Sequence, residues 1–557
     1  MYPSGSGVLL SARGAQPTVV KHGQVTGVLQ PTGPTRTVPH SSPGHPARCG
    51  DPRPEVSRPN APGNPNSDAT RVLRVRLLIW GRIWAKEGGI SLTPVLLSRI
   101  QFAFTIGYHF LYVPFSIGLG LILILAERRY RRTGADADRA ASDFWIKIFA
   151  ATFAVGVASG ITMEFAFGTN WANYSRFVGG VFAVPLAAEG IFAFFLESSF
   201  LGVLLFAKKR VSRRFYYASA WLVVFAAMFS AFWILAANSW MQTPRGSTVM
   251  NGQAVLTNFW AALFTPSLAP RLAHTLGATF VAGAFFAAGV SAYYLLLGRH
   301  TTFAKRTIRL ALVLGFLLSA IMPLLGHWQA LGIASDQPVK MAAMEAVYQT
   351  GSHKSLSILG IVDESAQKPV GLMIPDGLSL ILGLSTNKIV TGLDSVPPAD
   401  RPPVQIVFQS WHLMIAIGTL LVLIMLAGLY LWWRRTLERS RWYLRLLQFS
   451  IPLPIVATTL GWMTAEIGRQ PWVVQGQLRT TDAVSPTVST SQVAATLAVF
   501  IVLYAVLFYF WLVVVRRIVR RGPDEVHIES AVSPTAAESL VTPVVGSAKR
   551  NDRRPPR

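Results

Sequence analysis

Nine apolar segments, each roughly 20 residues long, dominate the sequence from Gln101 onward. A helix of roughly 20 apolar residues is long enough to cross the hydrocarbon core of a bilayer. The segments lie near residues 101–126, 144–166, 184–207, 216–240, 271–297, 310–333, 404–433, 446–467 and 491–515. We therefore predict an all-α polytopic membrane protein with about nine transmembrane helices.

The basic residues predict how these helices are oriented. The formal net charge is +25, and Lys and Arg cluster after the odd-numbered segments, in ERRYRR, KKRVSRR, GRHTTFAKRTIR, WWRRTLERSR and RRIVRRGPDE. Connections rich in Lys and Arg stay on the cytoplasmic side of a membrane. We expect the N-terminus outside and the C-terminus inside. Because this placement accounts for the charge, no nucleic-acid partner is expected.

Composition divides the chain into five parts. Residues 1–90 are rich in Pro, Gly, Ser and Arg without apolar periodicity, so we predict a disordered tail there. Helices 1–6 occupy 91–333, and helices 7–9 occupy 404–520. A second disordered tail is expected over 521–557, on the cytoplasmic side. The polar outer connection 334–403 is long enough to suggest a functional role.

A small set of polar side chains lies inside the apolar segments, nearly all in the outer half. They include His109, His274, Met414 and Glu466, together with further carboxylates. The only cysteine, Cys49, lies in the N-terminal tail. A metal in the membrane must therefore use His, Met or carboxylate ligands, and these are ligands that haem iron accepts.

Each of these residues also has an ordinary structural interpretation. A single intramembrane histidine usually hydrogen-bonds a neighbouring helix, and methionine is a common gap filler. Glu466 could pair with Arg469 one helical turn on. Glu197 could hydrogen-bond Ser199 or a neighbouring helix. The occurrence of these side chains together at one depth favours a haem site.

Six motifs resemble a known family. They are LSRIQFAFTIGYHFLYVP, GITMEFAFGTNW, PLAAEGIFAFFLES, SAFWILAANSWMQTP, HTLGATFVAGAFF and GWMTAEIGRQPW, which follow in family order from Leu97 to Trp472 within a resemblance over about residues 92–515. The chain thereby resembles subunit I of the cytochrome bd-type quinol oxidases. The resemblance implies a bacterial cytoplasmic-membrane enzyme that oxidises quinol at the outer face and reduces O₂ to water. It would build proton-motive force without pumping protons.

The resemblance also implies three haems in the outer half of the bundle. A low-spin haem b would be held by His274 and Met414. His109 and Glu466 would serve two high-spin haems, one of b type and one that is haem d or a further haem b. Family members differ in which haem occupies which position, so both residues are assigned to the pair.

Other residues match family positions around these haems. Arg99 and Arg469 match positions near haem propionates. Glu189 and Glu197 match carboxylates of the haem region and the proton route. Because they are eight residues apart on one predicted helix, Glu197 should lie roughly 12 Å deeper, toward the cytoplasm.

The outer connection carries the expected quinol site. Lys340 and Glu345, in QPVKMAAMEAVY, resemble the family's quinol-loop motif, and a carboxylate near a cation can accept a quinol proton. Without the resemblance, a solvated amphipathic helix with an ordinary ion pair would be the simpler interpretation. One position departs from the family: His412 stands where an arginine is common. Residues two apart on a helix point in nearly opposite directions, so we retain Met414 as the ligand.

The expected partners follow from the resemblance. They are a cytochrome bd-type subunit II, membrane lipid, quinol and O₂, with room for a small single-helix accessory subunit. Two rival functions use the same intramembrane residues differently. A proton-coupled transporter would use the carboxylates as a substrate path. A haem-bearing electron-transfer anchor would need only His274 and Met414.

Overall fold

A computed structural model describes residues 92–524. The predicted tail at 1–90 lies outside the described residues, as does the predicted tail at 521–557 except for residues 521–524. Within the described part, nine helical stretches are long and apolar enough to cross a membrane. They are Pro94–Thr133, Asp136–Thr169, Pro185–Phe206, Arg213–Gln242, Leu268–Leu297, Thr301–Asp336, Pro398–Trp433, Arg441–Ile467 and Thr490–Arg521. The predicted fold class and the number of spans are confirmed.

The first span is not one continuous helix. Helix α1 covers Pro94–His109 and α2 covers Val113–Thr133, with a tight turn between them. Pro114 explains the break, because proline has no amide hydrogen to donate and its ring clashes with the carbonyl one turn earlier. His109 is therefore the last residue of α1, next to an irregular turn.

The third span contains a π-helical turn. After α3 (Asp136–Thr169), helix α4 covers Ala172–Ala188, the π turn covers Glu189–Ala193, and α5 covers Phe194–Phe206. A π turn takes one more residue than an α turn. Glu189 and Glu197 consequently have the angular relation of residues seven apart in a regular α-helix, which is close to two full turns.

The remaining elements complete the bundle and its connections. The helices are α6 (Arg213–Gln242), α7 (Phe259–Leu263), α8 (Leu268–Leu297), α9 (Thr301–Asp336), α10 (Pro338–Glu345), α11 (Gly377–Gly383), α12 (Val404–Trp433), α13 (Arg441–Phe449), α14 (Leu453–Ile467), α15 (Thr480–Ala483) and α16 (Thr490–Arg521). Three antiparallel hairpins pair β1 (Ser247–Met250) with β2 (Gln253–Leu256), β3 (Leu356–Asp363) with β4 (Lys368–Ile374), and β5 (Trp472–Val474) with β6 (Leu478–Arg479). The outer connection thus contains α10, the β3–β4 hairpin and α11.

Ion pairs join the arginine-rich connections at one end of the bundle, here called the basic end. Asp138 accepts hydrogen bonds from Arg129 Nε at 2.8 Å and from Arg306 Nη1 at 3.4 Å. Glu438 accepts one from Arg309 Nη2 at 3.2 Å. The connections after the first, fifth and seventh spans therefore meet at the same end, as alternating membrane crossings require.

Helices α2 and α8 pack through glycine. A Cβ built on Gly118 would lie 2.6 Å from the backbone nitrogen of Gly283, and a Cβ on Gly283 would overlap the backbone of Gly118. Small residues let membrane helices approach this closely, where van der Waals packing and not the hydrophobic effect holds them together.

Replacement of Gly283 by Ala should force α2 and α8 apart. Overpacking of this kind typically costs about 1–3 kcal/mol, so the thermal denaturation midpoint of the purified protein should fall clearly. Gly179→Ala on α4 is the matched control, because a Cβ there meets nothing within 4 Å. An unchanged midpoint in Gly283→Ala would contradict the close helix contact.

Candidate functional site

The end of the bundle opposite the basic end contains a buried polar cluster. It is built by the last turn of α6, the first turn of α8, helix α10 and the end of α14. Its members are Asn238, Gln242, Arg271, Gln337, Lys340, Glu466 and Arg469. Of these, only Glu466, Arg469 and Lys340 are predicted from the sequence.

Glu466 lies at the centre of the buried polar cluster. Its Oε1 accepts hydrogen bonds from Asn238 Nδ2 at 2.9 Å and from Gln242 Nε2 at 3.2 Å. Its Oε2 accepts a hydrogen bond from Arg469 Nη2. The structure therefore contains the Glu466–Arg469 pair that the sequence offers as an ordinary structural interpretation. Arg271 Nη1 donates to Asn238 Oδ1 at 3.2 Å and brings a second guanidinium to the same carboxylate.

Lys340 joins this cluster through amides and not through a carboxylate. Its Nζ donates to Gln242 Oε1 and, at 2.9 Å, to Gln337 Oε1. The residue is only 2% exposed, and burial together with the nearby guanidinium charges lowers its pKa well below the usual lysine value. Although Lys340 and Glu345 are only five residues apart, they do not form an ion pair.

The charges of the buried polar cluster do not balance. The guanidinium groups of Arg271 and Arg469 face a single carboxylate, Glu466, and the amine of Lys340 lies nearby. In addition, Arg271 Nε and Arg469 Nε and Nη1 are buried without a hydrogen-bond partner among the described residues. Buried donors and charges without partners are costly, so the cluster is suited to receive an anionic group with several acceptor oxygens.

His109 is held in one tautomer by α3. Its Nδ1 lies 2.9 Å from Ser159 Oγ, and that hydroxyl donates its own hydrogen to the Gly156 carbonyl at 2.9 Å. The hydroxyl can therefore only accept from the ring, so Nδ1 carries the hydrogen. Nε2 is left with a free lone pair, which is the arrangement found in metal-binding histidines.

The three predicted histidine and methionine ligands each lie against a glycine of another helix. A Cβ on Gly461 would lie 2.7 Å from Met414 Sδ. Cβ atoms on Gly160 and Gly326 would lie 3.3 Å and 3.4 Å from Cε1 of His109 and His274, respectively. We call these three positions the glycine gaps. His274 Nδ1 is also buried without a hydrogen-bond partner among the described residues.

Glu345 occupies a second buried site between α10, β3 and α12. It is 3% exposed and accepts a hydrogen bond from Trp411 Nε1 at 2.8 Å and from the Ser357 backbone nitrogen at 3.4 Å. Burial raises the pKa of its carboxyl to about 7, against the opposing effect of these two hydrogen bonds. A carboxyl with such a pKa can take up and release a proton near neutral pH.

His412 lies beside Glu345, with Nε2 at 3.9 Å from Glu345 Oε2. Its Nδ1 is 2.8 Å from the Phe408 carbonyl and its Nε2 is 3.0 Å from the Ser357 carbonyl. A neutral ring can donate to only one of these carbonyls, whereas a charged ring can donate to both. His412 is thus held against the outer connection, while Met414 lies against Gly461.

Comparison with known proteins decides the family. The family described as "Cytochrome bd terminal oxidase subunit I" matches residues 97–523. The chain belongs to this family. It is 36% identical over 444 residues to "Cytochrome bd ubiquinol oxidase subunit 1" of Bacillus subtilis, covering 78% of this chain and 95% of that one. It is 34% identical over 502 residues to "Cytochrome bd-II ubiquinol oxidase subunit 1" of Escherichia coli, covering 78% and 98%.

The fold agrees with a solved bd oxidase. The bd oxidase from Geobacillus thermodenitrificans superposes with a TM-score of 0.72 at 29% identity, covering 77% of this chain and 99% of that one. The expected resemblance is therefore confirmed, as is the expected enzyme class of a quinol:oxygen oxidoreductase of respiratory electron transport.

The other predicted residues of this cytochrome bd family member lie away from the buried polar cluster. Glu189 accepts a hydrogen bond from Ser230 Oγ at 2.5 Å. Glu197 is buried, and no hydrogen bond to its carboxyl is found among the described side chains, whereas Ser199 is exposed. Arg99 is exposed on α1.

The raised pKa of Glu345 makes stability depend on pH. The folded protein holds this proton up to about pH 7, whereas an ordinary glutamate releases it near 4.5. Stability should therefore fall as pH rises from 4.5 to 7, at up to about 1.4 kcal/mol per unit, and level off above 7.

Glu345→Gln should remove this component, because the amide stays neutral and still accepts from Trp411. As pH rises from 5 to 8, the thermal midpoint of Glu345→Gln should rise relative to that of the unmodified protein. Glu364→Gln, at an exposed carboxylate, is the control. Identical pH slopes for Glu345→Gln and the unmodified protein would contradict the assignment.

Proposed function

We propose that this chain is the haem-bearing subunit of a quinol oxidase that oxidises quinol at the outer membrane face and reduces O₂ to water. It would build proton-motive force by taking the protons for water from the cytoplasmic side, without a pump. The observation that carries this proposal is the buried polar cluster, whose uncompensated positive charge and unpaired guanidinium donors call for an anionic cofactor. The relatives named as ubiquinol oxidase subunits support the quinol substrate.

The described residues fit haem. The glycine gaps let the side chains of His109, His274 and Met414 pack directly against neighbouring helices, and the free Nε2 of His109 is a suitable ligand atom. We assign His274 and Met414 to a low-spin haem b. His109 and Glu466 are assigned to the high-spin pair, a haem b and a haem d or further haem b. When bound, these groups supply electron transfer and oxygen reduction.

The charged residues around the haems would orient them. Arg469 and Arg271 have unpaired buried donors that suit propionate oxygens. We retain Arg99 as a propionate residue only on the strength of the resemblance, since it is exposed on α1. Of the two Glu466 oxygens, Oε2 is the better candidate to face iron, because its one donor, Arg469, could turn to a propionate instead.

Glu189 and Glu197 are proposed to carry protons from the cytoplasmic side to the haem region. The π turn brings the two carboxylates onto nearly the same side of the third span, two turns apart. The buried carboxyl of Glu197 is not committed to a hydrogen bond with any described side chain, so it is available to bond a water or another acid of the route. Intramembrane acids at such spacing form proton relays.

Quinol is proposed to bind beside α10, with Glu345 and Lys340 in different roles. Glu345 would accept a quinol hydroxyl proton as general base. Lys340 faces the other side of the same helix, where it is bonded to Gln242, itself a donor to Glu466. Lys340 would thus couple the position of α10 to the buried polar cluster.

The assembly follows the family. We propose a cytochrome bd-type subunit II as the obligatory partner, with a small single-helix accessory subunit as a further component. The enzyme would lie in the bacterial cytoplasmic membrane with its N-terminus outside, its C-terminus inside and its haems in the outer half. Residues 334–403 would then form the extracytoplasmic quinol-binding loop.

The haem assignment is tested by spectra of reduced membranes. Met414→Leu should convert the low-spin haem b signal to high-spin, since leucine cannot ligate iron. Gly461→Ala should weaken the same signal without touching a ligand, because the new methyl group displaces the Met414 sulfur. Gly418→Ala on α12, where a Cβ meets nothing within 4 Å, is the matched control.

The outcomes separate the rival functions. An unchanged low-spin signal in Met414→Leu would contradict the ligand assignment. A low-spin b signal without any high-spin haem in the unmodified protein would favour an electron-transfer anchor, and no haem at all would favour a transporter.

The quinol assignment is tested by the pH dependence of turnover. A general base must be ionised, so kcat/KM for quinol should rise with pH up to about 7 and then level off. Glu345→Gln should lose this rise and about 100-fold or more in kcat/KM. Oxygen consumption driven by an artificial one-electron donor should remain. Equal loss with both donors would instead place Glu345 in the haem region.

A further inference from the structure

The β3–β4 hairpin has an apolar face that no described residue covers. Leu359 pairs with Leu372 and Ile361 pairs with Val370, so all four side chains lie on one side of the hairpin. They are 57%, 63%, 60% and 46% exposed, respectively. An apolar sheet face this exposed is unusual in contact with water and marks an interaction surface.

Hydrogen bonds to α12 fix how deep the hairpin lies. The Val362 backbone nitrogen donates to Gln405 Oε1 at 2.8 Å. Gln409 Nε2 donates to the Gly360 carbonyl at 2.8 Å. Ser357 O lies 3.0 Å from the ring of His412. As α12 enters the membrane from 405 to 412, β3 therefore runs beside it from 362 to 357.

The membrane boundary can be located on α12. Trp432, Trp433 and Arg434 mark one interface, as aromatic and basic residues do at helix ends. Counting about 20 residues back from Trp432 puts the opposite edge of the hydrocarbon core near His412. Gln405 is seven residues earlier, roughly 10 Å further out at 1.5 Å per residue.

The hairpin therefore crosses the layer of lipid headgroups. Its inner end, at Ser357, is level with the hydrocarbon edge, and Val362 is level with the outer edge of the headgroups. Polarity follows the same direction, because the turn beyond Val362 reads DESAQK and exposes Glu364 and Lys368. The apolar face lies below this charged tip.

Helix α11 continues the apolar surface at the inner end of the hairpin. A Cβ on Gly377, its first residue, would contact Leu356 and Ile374, the inner ends of β3 and β4. Leu380, Ile381 and Leu384 are 50%, 43% and 90% exposed. On α12, Ile406 and Leu413 are also exposed, and each directly follows in sequence a residue that bonds β3, Gln405 or His412.

We propose that the β3–β4 hairpin and α11 dock on the outer leaflet of the lipid bilayer, with the apolar face in the boundary between headgroups and acyl chains. The occupant is phospholipid, because the apolar face lies at headgroup depth beside α12, a membrane-spanning helix that exposes the apolar side chains of Ile406 and Leu413 at the same level. Interfacial elements bind membranes in this way, by an apolar face below a charged one. This inference depends on the membrane-spanning fold and not on the proposed quinol chemistry.

Depth-resolved fluorescence quenching in the assembled oxidase tests the proposal. In a Cys49→Ser background, bimane is attached at Leu372→Cys on the apolar face or at Ser365→Cys on the charged tip, and the complex is placed in phosphatidylcholine nanodiscs. Lipid brominated on its acyl chains should quench the Leu372→Cys label several-fold more than the Ser365→Cys label. Aqueous iodide should show the reverse order.

Two outcomes would overturn the proposal. Equal iodide quenching at both sites would place the hairpin in water, and a Leu372→Cys label quenched by neither reagent would show that protein covers the face. Val370→Cys, on the same face, replaces Leu372→Cys if that variant does not assemble. Quinol oxidase activity is measured separately, so loss of turnover does not affect the depth result.

Discussion

The arrangement of the bundle end that lies opposite the basic end depends on compensating charge inside a bundle that excludes water. Arg469 bonds Glu466 directly, and Arg271 and Lys340 are linked to the same carboxylate through Asn238 and Gln242. Amide side chains at the end of α6 connect them. Such a cluster is stable only if further acceptors complete it, so the ends of α6, α8, α10 and α14 and the cofactor are mutually dependent.

Helix α10 separates two kinds of chemistry although it has only eight residues. Lys340 faces the buried polar cluster, whereas Glu345 faces β3, Trp411 and His412. The first side stores positive charge near the proposed haems, and the second side holds an ionisable carboxyl near neutrality. Movement of α10 would therefore affect electron and proton acceptance together.

The sequence predicts the bundle well because long apolar segments have few other possible structures. It predicts less about positions whose geometry is set by a local irregularity of a helix or by contacts with residues distant in the chain. Pro114 divides the first span after His109, and the π turn changes the relation of Glu189 to Glu197. Spacing suggests a Lys340–Glu345 pair, but their opposite environments come from tertiary packing. Asn238 and Gln242, one helical turn apart at the end of an apolar segment, are a detectable signal for the cluster, whereas an arginine at the start of an apolar segment, such as Arg271, is equally typical of an interfacial anchor.

The glycine gaps have a consequence for how such sites can be built. Gly160, Gly326 and Gly461 each lie on a different helix from the proposed ligand that packs against them. Each proposed binding position thus depends on two residues, the ligand and a glycine whose missing side chain gives the ligand room. A designer who transplants the histidines and the methionine into another bundle will obtain ligands with no room beside them, unless the empty positions are transplanted too.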